Sequence, residues 1–332
     1  MELQHRLVRQ AIDIAISKAI DDMKSDAKRS LRNLIDLGLF FSKGENQINF
    51  LNTAKEVISN PTNPYHSLIA RMVADINNET IKKAGLNFGY SSLIYGANKL
   101  RKRREVFADP LPWLLIFNVY ESSSETFDLM KKIIAVGRKS GIYSYIVCPN
   151  KPQDVEAVCE VAQSFDDCLF VMSLSSEQIS EHSAEIVGNT INMIVSVKVS
   201  GSEFCNKKDE NTFHMLKKNH CLFGFQISYN DSNIEQVAVA EYIDSAVNCG
   251  NTFGVFIADE VASEKCQAAM YKFACEVRGV NGQALIAIEW IQDMQYVSER
   301  ILSGDGYMQM DLAEAACNKY KEARDTVLPI FL

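Results

Sequence analysis

The sequence predicts an α/β fold, a partial (β/α)6 barrel of the TIM type preceded by an all-helical N-terminal region. Three observations predict it. Residues 1–108 carry only helical periodicity, with apolar residues at three- and four-residue spacing. From 109 onward, short β-rich apolar runs alternate with helix-length amphipathic segments, the pattern of parallel strands joined by helices. Those runs are nearly continuous in hydrophobicity, as strands are when both faces of their sheet are covered.

In the N-terminal region, Leu7, Val8, Ala11, Ile12, Ala15, Ile16, Ala19, Ile20 and Met23 form one apolar stripe. Leu31, Leu34, Ile35 and Gly38 suggest a second, shorter helix. Ile48, Leu51, Ala54, Val57 and Ile58 mark a third, stopped by Asn60-Pro61. Asn63-Pro64 reads as an N-cap with proline in the first turn of a fourth, carried by Tyr65, Leu68, Ile69, Met72, Val73 and Ile76. A fifth is expected from Glu79 to Glu105, bent around Gly85 and Gly89.

Asp109-Pro110-Leu111-Pro112 marks the boundary between 1–108 and 109–332. The strands expected after it are Leu114–Tyr120, Ile142–Cys148, Cys168–Leu174, Ile191–Val199, Leu222–Ser228 and Thr252–Ala258, with a seventh at Ala284–Trp290. Between them lie helices near Ser124–Lys139, Gln153–Ser164, Ser176–Val187, Asn211–Asn219, Asn233–Cys249 and Glu260–Val280. Six or seven such units without a glycine-rich phosphate loop favour a barrel over a doubly wound sheet.

Composition narrows the function classes. The 332 residues carry 34 Lys+Arg against 42 Asp+Glu, a formal charge of −8 that argues against bulk nucleic-acid binding. No stretch approaches the roughly 20 apolar residues needed to cross a bilayer. The charged N-terminus does not read as a signal peptide, so a cytoplasmic location is expected. The nine cysteines contain no C-x-x-C pair and fall mostly in apolar runs, which predicts buried thiols in a reducing compartment. The run Lys99-Leu100-Arg101-Lys102-Arg103-Arg104 reads as a basic helix C-terminus.

Active sites of such folds sit at the C-terminal ends of the strands. There the sequence places Asn118 and Glu121 after the first strand, Lys151 after the second, Lys198 after the fourth, Gln226 on the fifth and Glu289 on the seventh. Glu289 before Trp290 and Lys198 inside an apolar run each need a partner, and a Lys198–Glu289 or Lys198–Glu121 pair would satisfy both. No G-x-G-x-x-G, P-loop, H-E-x-x-H or G-x-S-x-G motif occurs, and no histidine falls at a strand end.

Several strings carry a family resemblance. They are Leu111-Pro112-Trp113 before the first strand, Ser140-Gly141-Ile142-Tyr143 before the second, and Thr212-Phe213 with Leu216-Lys217 before the fifth. The fifth strand, Phe223 to Tyr229, and the Asn233 after it add to them. With the order of units, these make residues from about Tyr65 to about Met310 resemble radical S-adenosylmethionine (radical SAM) proteins, closest to a bacterial subgroup with a helical N-terminal extension. The resemblance implies a six-unit partial barrel that cleaves SAM reductively at an iron–sulfur cluster held by C-x-x-x-C-x-x-C after the first strand. Here those positions are Ser123, Phe127 and Met130, and no cysteine precedes residue 148. The family's Gly-Gly-Glu-Pro corresponds to Pro149-Asn150-Lys151-Pro152, its third-strand Asn-Gly to Leu174-Ser175, and a fourth-strand glutamate to Lys198. Cys317 lies where relatives begin auxiliary-cluster cysteines.

The expectation is therefore a pseudoenzyme that has lost both cluster and SAM. It would serve as a binding or scaffold protein for an active radical SAM enzyme or its peptide substrate, with no nucleic-acid or membrane partner. Two alternatives stay open. The barrel could be an enzyme repurposed to non-radical chemistry through its strand-end Lys and Glu residues, or a sensor of a nucleoside-type small molecule.

Overall fold

The computed structural model describes residues 2–42, 44–106, 111–201, 204, 206–279, 281–299 and 306–312. The N-terminal region is helical, but its first two expected helices are one. Helix α1 runs unbroken from Glu2–Phe41, because neither proline nor glycine stands between residues 2 and 37 to stop it. Helices α2 (Glu45–Ser59) and α3 (Tyr65–Asp75) follow. The expected fifth helix is a continuous rod of three parts: α4 (Asn78–Ala84), a π-helical stretch (Gly85–Gly96) and α5 (Ala97–Val106). The boundary string at Asp109-Pro110 lies outside the described residues.

The rest is a parallel α/β unit. Its strands are β1 (Leu114–Val119), β2 (Ser144–Pro149), β3 (Leu169–Ser175), β4 (Met193–Lys198), β5 (Phe223–Tyr229), β6 (Phe253–Ala258), β7 (Ile286–Glu289) and β8 (Tyr307–Leu312). Helices α6 (Ser124–Ser140), α7 (Asp154–Gln163), α8 (Glu181–Gly188), α9 (Lys207–Lys218), α10 (Ile234–Val237), α11 (Ala240–Asn248), α12 (Glu264–Val277) and α13 (Trp290–Val297) connect them. The sheet order is β7-β6-β5-β4-β3-β2-β1-β8, all parallel. The eighth strand was not expected. It extends the sheet beyond β1, so the fold is a curled TIM-like barrel, open between β7 and β8 among the described residues.

Trp290, directly after β7, lies against Tyr307 at the start of β8, with ring centroids 5.2 Å apart and planes tilted by 57°.

Alternation along each strand separates two faces. The outer face carries Phe117, Tyr145, Val147, Phe170, Met172, Val195, Phe225 and Phe256, all buried against the helices. The inner face is not filled: Ile146, Val171, Ile194 and Val255 remain partly accessible, whereas a closed barrel packs that space with layers of side chains.

The helical region closes the N-terminal end of the strands. Ser92 of the π-helical stretch pairs with Ser144 at the foot of β2 (2.6 Å), and Asn87 donates to the Cys168 carbonyl (2.7 Å). Gly96 packs onto the Gly141 carbonyl oxygen, where a side chain has no room. Arg71 of α3 donates to the carbonyls of Val247 (3.0 Å) and Ala284 (2.8 Å), tying α3 to the foot of the barrel.

Candidate functional site: the open inner face

With the foot sealed, the accessible part of the barrel is its upper inner face. The sequence there is polar where the layer below is aliphatic. Register places Asp311, Asn118, Cys148, Ser173 and Ser196 in one lateral row, with Ser175, Lys198 and Gln226 one pleat nearer the mouth. Adjacent strands lie roughly 4.8 Å apart and same-face neighbours along a strand roughly 6.6 Å apart, so these side chains form one surface.

Two hydrogen bonds organise it. Asn118 Nδ2 donates to Asp311 Oδ1 (2.7 Å), tying β1 to the edge strand. Ser173 Oγ donates to Gln226 Oε1 (3.0 Å), reaching across β4. Between them Cys148 is partly accessible. Burial pushes its thiol above the ordinary range, against the pull of the Lys198 ammonium and a hydrogen bond with Ser173. Lys198 itself is exposed at the rim. Ser196 is 3% exposed, and its hydroxyl has no hydrogen-bond partner among the described residues.

Of the residues expected at the mouth, Asn118, Lys198 and Gln226 share this inner face. Glu121 and Lys151 are exposed on the loops above it. The Glu121 carbonyl accepts from Thr126 Oγ1 (3.1 Å), and the Lys151 backbone N–H donates to Asp154 Oδ2 (3.3 Å), so both loops are fastened to the following helices.

Glu289 lies elsewhere. It alternates onto the outer face, is 0% exposed, and accepts from Tyr229 Oη (2.7 Å) and from the Gln292 backbone N–H (2.8 Å), capping α13. Burial, and then the hydrogen bond to Glu289, push the Tyr229 phenol well above its usual range. Asp293 accepts from the Glu289 N–H (2.9 Å) and is paired with Arg278 (2.8 Å). The expected Lys198–Glu289 pair does not form, because the two side chains leave the sheet in opposite directions.

The three positions that the resemblance would match to cluster cysteines are also built into structure. Ser123 caps α6 by accepting from the Thr126 N–H (3.3 Å), Phe127 is half-buried against the core, and Met130 is 0% exposed. Cys159, Cys168, Cys221 and Cys266 are buried, as expected, and Cys275 is exposed. Cys205 and Cys317 lie outside the described residues. Among the described residues no group of three or more His, Cys, Asp or Glu side chains is placed to hold a metal ion, and no helix is long and apolar enough to cross a membrane.

Cys148 and Ser173 fall in strand-end segments that the sequence points to without marking them as site residues, and Ser196 and Asp311 fall outside those segments. A signal existed for them, since each shares strand parity with a residue that was singled out or with its lateral neighbour. A concavity of about 640 Å³, lined by Asn77, Asn78, Glu185, Asn189, Lys218 and His220, lies at the opposite end. It sits in the seam between the helical region and the foot of the barrel.

No protein-family profile matches the chain, and no curated protein matches it in sequence. Solved structures give distant likenesses. SuiB of Streptococcus suis bound to S-adenosylmethionine aligns at TM-score 0.44 and 8% identity, covering 83% of this chain and 65% of that one. SuiB bound to precursor peptide SuiA aligns at TM-score 0.39 and 9% identity, covering 65% and 53%. A 3-dehydroquinate dehydratase from Geobacillus kaustophilus HTA426 aligns at TM-score 0.39 and 10% identity, covering 66% and 93%. The chain thus spans less than two thirds of these two SuiB chains, and likenesses this distant specify no chemistry.

Proposed function

We propose that this chain is a non-catalytic, radical-SAM-like barrel protein whose open inner face binds a segment of a protein or peptide partner. The partner class is an active radical SAM enzyme or its peptide substrate. One observation carries the reading: the segment where such enzymes hold their cluster is here the first turns of α6, with Ser123 as its cap and Met130 fully buried. The residues present do not fit an iron–sulfur cluster, since none of the three offers a thiolate.

The inner face supports binding more than chemistry. Its hydrogen bonds join Ser173 to Gln226 and Asn118 to Asp311, and neither pair is a nucleophile with its base. The strand-end lysine and glutamates that a repurposed enzyme would use are not assembled: Glu289 is behind the sheet and Glu121 is out on its loop. The partly accessible aliphatic layer beneath the polar row offers the apolar surface that a bound segment would cover.

The test is anaerobic iron–sulfur reconstitution with iron content and absorbance measured, followed by calorimetry with SAM, S-adenosylhomocysteine and adenosine. The expected result is no stoichiometric iron, no cluster absorbance and no heat. A cluster bound at one per chain overturns the reading, and tight SAM binding without a cluster restores a cofactor site. Heat from adenosine alone favours the nucleoside sensor.

A further inference from the structure

The inner wall formed by β3, β4 and β5 carries donors in excess of acceptors. Gln226 Oε1 is already used by Ser173 Oγ at 3.0 Å, and the amide nitrogen of Gln226 makes no hydrogen bond among the described residues. Ser196 stands on the adjacent strand, laterally between Ser173 and Gly224, with a buried hydroxyl that has no partner. Phe253 closes over Gly224, where a Cβ would fall 2.6 Å from the ring, so Ser196 is walled on its β5 side. A buried hydroxyl left unpaired costs free energy, which a ligand acceptor would recover.

The charge points the same way. Lys198 lies two residues further up β4, roughly 6.6 Å from Ser196, and no described carboxylate pairs with it. It is near enough to Cys148 to draw that thiol's titration downward. Beneath Ser173 and Ser196 on their own strands stand Val171 and Ile194, both partly accessible. One cation unpaired among the described residues, two neutral donors and an aliphatic floor match a monoanion with an apolar group attached. A doubly charged phosphate would call for more positive charge than one lysine.

We propose that this wall binds a carboxylate attached to an aliphatic group, with Lys198, Ser196 and Gln226 Nε2 as donors to its oxygens and Val171 and Ile194 beneath its side chain. The inference deepens the binding role proposed above and rests on it. Two sources supply this chemistry: a free aliphatic acid, or the C-terminal carboxylate of a peptide ending in an aliphatic residue.

Cys148 gives a readout that needs no activity. The full-length chain is treated with iodoacetamide and the alkylation rate at Cys148 is followed by peptide mass mapping. The probes are N-acetyl-leucine and the peptide acetyl-Gly-Gly-Leu, each against its C-terminal amide. Both acids are expected to slow alkylation at Cys148 while both amides leave it unchanged. Protection stronger with the peptide acid assigns the site to a peptide terminus, and equal protection assigns it to a free acid.

Lys198→Gln is expected to weaken protection about tenfold and Ser196→Ala about threefold, in the range of a charged and a neutral hydrogen bond. Protection is taken as the ratio with and without acid in each variant, which removes the direct effect of Lys198 on the thiol. Ser196→Ala deletes an unpartnered hydroxyl and is expected to fold normally. The proposal is overturned by absence of protection up to about 10 mM acid, beyond an ordinary millimolar site. Equal protection by the amides, or full protection in Lys198→Gln, overturns it as well. A reconstituted cluster would instead overturn the non-catalytic reading and leave Cys148 protection to stand or fall separately.

Discussion

Replacing Glu289 by alanine decides whether that carboxylate belongs to the mouth or to the framework. It is fully buried behind the sheet, with Tyr229 Oη at 2.7 Å and the Gln292 N–H at 2.8 Å. Removing it leaves the Tyr229 hydroxyl unpaired, at ~1–3 kcal/mol. It also uncaps α13, at ~1 kcal/mol, and deletes one buried methylene at ~0.8 kcal/mol. Relief of the carboxylate's own desolvation offsets part of this sum. The expected net loss is about 2–4 kcal/mol for Glu289→Ala and about 1 kcal/mol for Glu289→Gln, which keeps an acceptor for the Gln292 N–H. Urea unfolding followed by fluorescence measures it, since Trp290 is the adjacent residue. Native-state alkylation of Cys148 is expected to be unchanged, because that thiol is on the other face. Stability within about 0.5 kcal/mol of the parent, or an altered Cys148 rate in a stable variant, would refute the placement of Glu289 outside the site.

The remaining predictions concern the helical region. Gly96→Ala drives a Cβ onto the Gly141 carbonyl oxygen and to 2.8 Å from the Ser91 carbonyl oxygen. Neither backbone atom can yield as a flexible side chain would, so a loss of about 1–3 kcal/mol is expected despite alanine's better helix propensity. An unchanged urea midpoint would show that the π-helical rod is not seated on Gly141. His5 of α1 stacks on Tyr95 with ring centroids 3.6 Å apart. Burial, with Arg9 adding to it, lowers its pKa to about 4 from 6.5, against the opposing pull of Asp167. The undocked helix therefore holds more protons between these values, and docking weakens as pH falls from 6.5 to 4, with no further change from His5 below that. Hydrogen exchange over residues 5–20 is expected to show this loss in the parent and not in His5→Phe. Identical pH profiles for the two proteins would exclude His5 as the cause.

Seven strands were legible from local pattern alone, since each is an apolar run bounded by turn signals and buried on its outer face against a helix. Strand β8 was passed over because Tyr307–Leu312 shows only Met308, Met310 and Leu312 alternating with polar residues. That period-two signal is weak in so short a segment. The sequence suggests two helices in place of α1 because its apolar stripe thins after Met23, although nothing in the chain stops a helix there.

Composition and periodicity by themselves determined the two-part organisation, the α/β class and the absence of cysteine from the segment after β1. These are properties of stretches of chain, set by local hydrophobicity and by which residue types are present. The tertiary structure alone decided which polar residues meet. Lys198 and Glu289 are both charged residues at strand ends, and local pattern does not distinguish them, yet pleat parity and register send one to the open face and the other behind the sheet. Ser173 and Gln226 are 53 residues apart in sequence and hydrogen-bonded in space. A site made across strands is a lateral arrangement, and lateral neighbours follow from register, which hydrophobic packing of the whole sheet sets and no single strand encodes.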